Sequence, residues 1–316
     1  MSAERFPFGC TFVYSPDYYC DIGAHVFPTA KYRLVHQALL GDGDIPPERI
    51  LAPEAASRED LLLVHTEEYV QDLLAFRHTR RTQCSEVPIS EQIIRANLLG
   101  TGGTILCCRR ALSEGFSMNL AGGFHHAFPD HAEGFCYIND IAVAIRRLRA
   151  DGLAGRAAVV DLDVHQGNGT AFVFRSDPTV FTFSMHQENN YPVKQPGALD
   201  VGLEDGIGDE EYLQLLAAHL PEVLDVFRPE LVVYQAGADP LADDQLGGLA
   251  LTPKGLRRRD ERVIGSCARR GIPVAGVLGG GYARNTQDTV RAHHETCRVM
   301  WEAGKQIADC RMPTVE

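Results

Sequence analysis

The chain has 316 residues, of which 45% are hydrophobic and 23% charged, the composition of an ordinary globular protein. These proportions exclude a disordered or collagen-like chain, and the apolar runs are too short for a transmembrane helix or a secretory signal. The net charge of −12 argues against nucleic acid as a partner, and the short apolar runs argue against a membrane.

Short apolar runs and amphipathic stretches alternate along the chain after about residue 90. The amphipathic stretches have apolar residues at helical spacing, often with a capping residue at one end and a glycine at the other. The first predicted helix has an apolar face from Ile94 to Leu112 and is weakened by Gly100, Gly102 and Gly103. The second is capped by Asn139 or Asp140 and ended by Gly152. The third follows Asp209 and is kinked or split by Pro221, and the fourth runs from Thr252-Pro253 to Gly271.

The apolar runs between these helices are short enough to be buried strands. The predicted strands are Phe116–Ala121, Ala157–Leu162, Val180–Phe183, Leu231–Gln235 and Ile272–Leu278. Strands that alternate with helices predict βαβ units and a parallel sheet. Because no repeat or long linker interrupts the pattern, we expect residues 1–316 to form a single domain.

Chemically active side chains follow four of the predicted strands. His125 and His126 follow the first, Asp239 follows the fourth and Tyr282 follows the fifth. The second strand leads into Asp161-Leu-Asp-Val-His165. Ligands of open parallel sheets bind outside the carboxyl ends of the strands, so these side chains predict one site at that edge.

The Asp161, Asp163 and His165 side chains are two residues apart, which would place all three on one face of a strand. Burying two carboxylates and an imidazole is costly unless they are paired or bind a metal ion. An Asp and a His of this run, with Asp239 as a third ligand, suit a catalytic zinc ion that keeps one position open for water. The alternative is an Asp–His hydrogen-bonded network without metal.

The spacing alone leaves the roles of the other side chains open. Adjacent histidines such as His125 and His126 can take up and return a proton near neutral pH. Tyr282 could present its hydroxyl to a developing oxyanion, but on spacing alone a core tyrosine is the favoured interpretation.

Five segments, taken together and in this order, resemble the histone deacetylase superfamily. They are AGGFHH at Ala121–His126, EGFCYINDIA at Glu133–Ala142, VDLDVHQGNG at Val160–Gly169, GAD at Gly237–Asp239 and GGGY at Gly279–Tyr282. The HQGN variant at His165–Asn168, with DPLADDQLGG at Asp239–Gly248, is most similar to class IV deacetylases and their bacterial relatives.

The resemblance implies an arginase–deacetylase fold, with three α/β/α layers and a central, mainly parallel sheet. It also implies a zinc-dependent deacylase, with iron(II) as the alternative ion, that removes acetyl or longer acyl groups from lysine-like amines. Carried over by position, the resemblance implies that the metal ligands are Asp163, His165 and Asp239. It implies that His126 is the general base and acid, His125 its electrostatic partner, Asp161 the carboxylate that orients His125, and Tyr282 the carbonyl-polarising hydroxyl. The walls of a narrow acyl-lysine tunnel would be Gly134, Phe135 and Tyr191, with Leu246 at its mouth.

The resemblance also implies a potassium ion beneath the zinc site, at positions matching Asp161, Asp163, His165, Ser184 and Met185. One position departs from the family, because most relatives have Asp where this chain has Asn168, the partner of His126. A neutral amide stabilises an imidazolium less than a carboxylate does, so we expect a lower pKa for His126.

Three other functions compete with deacylation of lysine. An acetylpolyamine amidohydrolase is the nearest, although Leu246 is apolar where polyamine-specific relatives carry Glu. A binuclear manganese ureohydrolase would need more bridging carboxylates. A catalytically silent binding module would be expected to lack a ligand, the base or the tyrosine. The nine scattered cysteines, without a Cys-x-x-Cys pair, predict a reducing, cytoplasmic location.

Overall fold

The structure is a computed structural model that describes the backbone of residues 9–309 and the side chains as far as residue 306. Residues 1–8, which carry part of the prediction that no secretory signal is present, lie outside the described residues. The strands are β1 Gly9–Val13, β2 Ile50–Leu51, β3 Gly115–Asn119, β4 Ala157–Asp161, β5 Val180–Gln187, β6 Leu199–Leu203, β7 Leu231–Gln235 and β8 Val274–Val277. The α-helices are α1 Ala30–Gly41, α2 Arg58–Leu61, α3 Glu67–Leu74, α4 Arg80–Gln83, α5 Glu91–Glu114, α6 Asp140–Ala150, α7 Asn168–Phe174, α8 Asp209–Pro221, α9 Pro253–Arg270 and α10 Thr286–Asp309, with short 3-10 turns at Pro16–Tyr18 and Pro47–Arg49.

The eight strands of the described residues form one sheet in the order β2-β1-β3-β8-β7-β4-β5-β6. Every neighbouring pair is parallel. The predicted α/β fold with a mainly parallel central sheet is therefore confirmed. Because β3, β8, β7 and β4 are adjacent, the four strands predicted to carry the site lie side by side at the centre of the sheet.

Each face of the sheet is covered by its own apolar core, as the alternation of side chains along a strand requires. In β4, Ala158 and Val160 pack in a core with helices α1, α8, α9 and α10. Their neighbours Ala157 and Val159 pack in a second core with α3, α5 and α6. The molecule therefore has the three α/β/α layers that the resemblance implies.

Three strands of the sheet are missing from the sequence prediction, and each has a weak local signal. β1 lies near the start of the chain, β2 has two residues, and β6 alternates between exposed and half-buried residues before Leu203. Their positions at or near the sheet edges result from pairing with distant strands, which no local pattern encodes.

The four predicted helices all form, as α5, α6, α8 and α9. Asn139 caps α6 by accepting a hydrogen bond from the Ala142 N–H at 3.0 Å, and Thr252 caps α9 in the same way. α8 ends at Pro221, as expected, and a π-helical segment follows over Glu222–Phe227. The glycines of α5 do not interrupt it. A Cβ at Gly102 would lie 1.8 Å from the Glu54 carbonyl oxygen, so this glycine allows close packing.

Within residues 9–309, no helix combines the length and apolarity needed to cross a bilayer. The eight cysteines in this range are free thiols, and seven of them are buried.

Candidate functional site

The predicted site residues lie together at the carboxyl edge of the four central strands. One element of the prediction is wrong: β4 ends at Asp161, so Asp163 and His165 lie in the turn that follows and not on one strand face. This turn is nevertheless bonded to its neighbours: the Leu162 N–H donates to the Gln235 carbonyl at 3.1 Å and the Gln187 N–H donates to the Val164 carbonyl at 2.9 Å. Backbone bonds to both neighbouring strands therefore position the turn.

Asp163, His165 and Asp239 form a buried cluster in which one ligand atom from each lies within 4.8 Å of the others. Nδ1 of His165 is 3.2 Å from Oδ1 of Asp163 and 3.3 Å from Oδ2 of Asp239. Oδ1 of Asp239 accepts a hydrogen bond from the Val164 N–H at 2.9 Å. Oδ2 of Asp239 is buried without a hydrogen-bond partner. An unpaired carboxylate oxygen in this position is suited to a cation.

The three side chains of the cluster strongly shift one another's pKa values. Burial and then the charge of Asp163 raise the pKa of Asp239 to about 7. Burial would lower the pKa of His165, but the two nearby carboxylates of Asp163 and Asp239 raise it to about 10. Two oxygen donors and one nitrogen donor, buried together, have the composition of a divalent-metal site with an open position. The residues present therefore fit a metal ion.

Gly280, in the turn after β8, makes room for the cluster. Its N–H donates to Oδ2 of Asp163 at 2.8 Å. A Cβ on Gly280 would lie 2.0 Å from Oδ2 of Asp239 and 2.7 Å from Oδ2 of Asp163. The site therefore requires a residue without a side chain at this position.

Each of the two adjacent histidines has its own hydrogen-bond partner. Nδ1 of His125 lies 2.8 Å from Oδ2 of Asp161, and Nδ1 of His126 lies 2.8 Å from Oδ1 of Asn168. The two rings are 4.1 Å apart between centroids. The predicted partnerships with Asp161 and Asn168 are thus present in the geometry.

The two histidines have opposite pKa shifts. Burial would lower the pKa of His125, but the charges of Asp161 and Asp163 raise it to about 9. The pKa of His126 lies well below its usual value, first because of burial and then because of the charges of His125 and His165. This direction agrees with the neutral His126 expected from the sequence, but burial is the main cause, and the hydrogen bond with Asn168 itself raises the pKa. One histidine is therefore suited to remain cationic, and the other is neutral near neutral pH.

A cavity of about 200 Å³ opens next to the cluster. The four residues predicted for the tunnel, Gly134, Phe135, Tyr191 and Leu246, all line it. The other lining residues are Glu86, His126, His165, Asn190 and Tyr282. The rings of Phe135 and Tyr282 are 5.9 Å apart, and those of His126 and Tyr191 are 5.2 Å apart. A larger groove of about 500 Å³ elsewhere on the molecule contains none of the predicted site residues.

Tyr282 is buried and held by its backbone. Its N–H donates to Oδ2 of Asp244 at 2.6 Å, and Oδ1 of the same carboxylate accepts from the Leu246 N–H at 2.8 Å. Burial is the main reason that the pKa of Tyr282 lies well above its usual value, so the hydroxyl stays protonated and can donate. One carboxylate therefore positions the tyrosine and the residue predicted at the tunnel mouth.

Three charged residues at the site have no role in the sequence prediction. Glu86 lines the cavity, and Glu133 accepts hydrogen bonds from Asn168 and Tyr191. Nζ of the buried Lys31 donates to the Gly279 carbonyl at 2.6 Å. Glu133 stands inside one of the family-like segments, which is a signal for it, whereas Glu86 and Lys31 lie in stretches with no distinguishing pattern.

Comparisons with known proteins agree with this geometry. The family description "Histone deacetylase domain" matches residues 25–297. An uncharacterized protein of Picosynechococcus sp. is 48% identical over 291 residues, which cover 90% of this chain and 96% of that protein. "Histone deacetylase 2" of Arabidopsis thaliana is 33% identical over 277 residues, which cover 83% of this chain and 70% of that protein.

Solved structures with the same fold include two homologs of histone deacetylases. An HDAC homolog complexed with SAHA has a TM-score of 0.80 at 27% identity, over 96% of this chain and 89% of that one. An HDAC homolog from Aquifex aeolicus has a TM-score of 0.79 at 26% identity, over 95% and 88% of the two chains. Family match, sequence relatives and fold agree, and the chain belongs to the histone deacetylase superfamily.

Proposed function

We propose that this protein is a zinc-dependent deacylase that removes acetyl or longer acyl groups from lysine-like amines, with residues 1–316 acting as one catalytic domain. Membership of the histone deacetylase superfamily supports deacetylase activity in general. The observation that carries the proposal is the unpaired Oδ2 of Asp239, in a buried Asp–His–Asp cluster whose His165 lines an aromatic cavity.

Asp163, His165 and Asp239 would hold the metal ion, which is zinc in this proposal with iron(II) as the alternative. When bound, such an ion acts as a Lewis acid that polarises an amide carbonyl and makes water a stronger nucleophile at neutral pH. The mixed oxygen and nitrogen donors suit both ions.

His126 is the proposed general base and acid. Its Nδ1 is engaged by Asn168, so Nε2 is the nitrogen free to take a proton from the attacking water. The same nitrogen then returns the proton to the leaving amine, and this type of transfer typically contributes about 10²–10⁴-fold to the rate. His125, held by Asp161, supplies a neighbouring positive charge.

Tyr282 is the proposed donor to the oxyanion that forms on the carbonyl oxygen of the substrate. Its protonated hydroxyl and fixed backbone meet the requirement that the donor be oriented before reaction. Phe135, Tyr191 and Gly134 line the cavity and are the proposed apolar passage for the methylene stem of lysine. Leu246, also in the lining, is the proposed residue at its mouth.

A potassium ion beneath the cluster is also part of the proposal, at Asp161, Asp163, His165, Ser184 and Met185. In its support, Ser184 of β5 lies directly opposite Asp161 in the register of the parallel strands. We further propose a class IV-like enzyme, from the HQGN segment, and a reducing cytoplasmic location, from the free thiols of the described cysteines.

An acetylpolyamine amidohydrolase remains the second candidate because of one observation. Glu86 belongs to the lining of the cavity, where its carboxylate could attract the second ammonium group of a diamine. Leu246 at the predicted mouth favours acyl-lysine instead.

Turnover of the zinc-loaded protein on two substrate sets tests the proposal. The first set is acetyl-lysine, butyryl-lysine and longer acyl-lysine peptides, and the second is acetylputrescine and acetylspermidine. We expect higher kcat/KM on an acyl-lysine peptide, and loss of both metal and turnover in Asp239→Ala. Higher kcat/KM on the polyamines would establish the second candidate, and no hydrolysis of either set by metal-loaded protein would refute both.

A further inference from the structure

The amide of Asn168 lies between His126 and a carboxylate. Oδ1 of Asn168 is 2.8 Å from Nδ1 of His126, and Nδ2 of Asn168 donates to Oε1 of Glu133 at 2.8 Å. Asn168 and His126 are buried, and the Glu133 side chain is 23% exposed. Most of the superfamily has a carboxylate in direct contact with this histidine, whereas here the carboxylate of Glu133 is one side chain farther from His126.

The order of donors along this chain of hydrogen bonds is determined by chemistry. An ionised carboxylate only accepts, so Glu133 requires the NH₂ group of Asn168 on its side. Oδ1 then faces His126, and the Gly169 N–H also donates to this oxygen, at 3.0 Å. Because an amide oxygen only accepts, Nδ1 of His126 must carry the proton of the neutral ring, and Nε2 must be bare.

The same carboxylate oxygen also contacts the tunnel wall. The hydroxyl of Tyr191 donates to Oε1 of Glu133 at 3.1 Å. Burial and then the charge of Glu133 raise the pKa of Tyr191, so its hydroxyl remains a donor. On the solvent side, Nε2 of His131 lies 3.6 Å from Oε2 of Glu133. Glu133 therefore links Asn168, the partner of His126, to the side chain of Tyr191.

We propose that Glu133 is a positioning residue: through Asn168 it holds His126 in the tautomer that can act as a base, and by its bond to the Tyr191 hydroxyl it fixes the tunnel wall. The kinetic part of this inference rests on the proposed function. It also accounts for the amide at residue 168, because a carboxylate there would face Glu133 across about 2.8 Å and repel it.

A double-mutant cycle tests whether Glu133 acts through residue 168. Glu133→Gln keeps the shape and removes the charge, and we expect kcat to fall about tenfold, as for other residues that orient a reacting group through a neighbour. In the Asn168→Asp background the negative charge already contacts His126, so the same Glu133→Gln change should leave kcat equal or higher. A tenfold loss in both backgrounds would overturn the proposal, because an effect independent of residue 168 would be additive.

The KM values separate the two roles of Glu133. The bond to Tyr191 does not pass through residue 168, so Glu133→Gln should raise KM by a similar factor in both backgrounds. A KM that is unchanged in both would remove Tyr191 from the proposal. Glu230→Gln is the matched control, because this exposed carboxylate accepts from the Gly155 N–H at the opposite edge of the sheet. Metal content should be equal in all variants, and the midpoint of unfolding should be equal in the wild type and Glu230→Gln.

A second measurement does not depend on activity. In ¹⁵N-histidine-labelled protein above pH 7, NMR shifts of the imidazole nitrogens report which nitrogen carries the proton, and His126→Gln identifies the signals of His126 by their loss. We expect Nδ1–H with bare Nε2 in the wild type and a mixture of tautomers in Glu133→Gln. An Nε2–H tautomer in the wild type would overturn the inference, whether or not the protein hydrolyses any acyl-lysine.

Discussion

Gly280→Ala is the sharpest test of the metal cluster, because the substitution adds a single methyl group. Gly280 does not have a positive φ, so alanine is tolerated by its backbone. The new Cβ would nevertheless lie 2.0 Å from Oδ2 of Asp239 and 2.7 Å from Oδ2 of Asp163. Ordinary carbon–oxygen contacts lie at about 3.5 Å, so the Asp239 carboxylate must move by roughly 1 Å or more.

Displacement of one of three ligands weakens the metal site directly. Changes to groups that only orient ligands typically cost about 10–100-fold in metal affinity, equivalent to about 1.4–2.8 kcal/mol, and this change moves a ligand itself. We expect at least that loss of zinc affinity, with a parallel loss of kcat/KM. The assay is a zinc titration of metal-stripped protein against a chelator of known affinity, followed by turnover on an acetyl-lysine peptide.

Gly41→Ala is the matched control for this experiment. Gly41 ends α1, and a Cβ there would meet nothing within 4 Å. The control should bind zinc as the wild type does. Wild-type zinc affinity in Gly280→Ala would refute the reasoning that Asp163 and Asp239 are the ligands in this geometry.

The remaining predictions concern the tyrosine, the tunnel mouth and a buried histidine. Tyr282→Phe should keep zinc affinity and lose on the order of 10²–10³ in kcat, measured with metal-loaded protein; full turnover would remove the hydroxyl from the mechanism. Leu246→Glu adds a carboxylate at the cavity, so the kcat/KM for acetylputrescine divided by that for an acetyl-lysine peptide should rise about tenfold. An unchanged ratio would show that residue 246 does not contact the substrate. Burial lowers the pKa of His65 from 6.5 to about 4, and its Nε2 accepts from the Asn139 N–H at 3.2 Å while Nδ1 faces the Phe128 carbonyl at 3.0 Å. As pH falls from 6.5 to 4, the unfolded chain therefore binds a proton at His65 that the folded chain does not, and the protein should lose up to about 3 kcal/mol of stability. Urea unfolding should show a shallower decline of stability with falling pH in His65→Gln than in the wild type. Equal slopes would contradict the assignment.

The amino-acid sequence by itself was sufficient for the fold class and for the positions of the reactive groups. Apolar runs that alternate with amphipathic helices predict a parallel sheet, and the side chains after those runs must then meet at one edge. These inferences succeed because strand and helix periodicity are local properties of the chain. The departure at Asn168 and its partnership with His126 came instead from the resemblance to the superfamily.

The tertiary structure alone decided which distant residues complete the site. Glu133 stands 35 positions before Asn168, and Lys31 stands 248 positions before the Gly279 carbonyl that it contacts. It also decided that β4 ends at Asp161, so that Asp163 and His165 converge through a turn. Such contacts depend on the order of strands in the sheet and on the paths of the loops. These are determined by the packing of the whole chain, and a hydrogen bond between distant segments leaves no periodic trace in the sequence of either one.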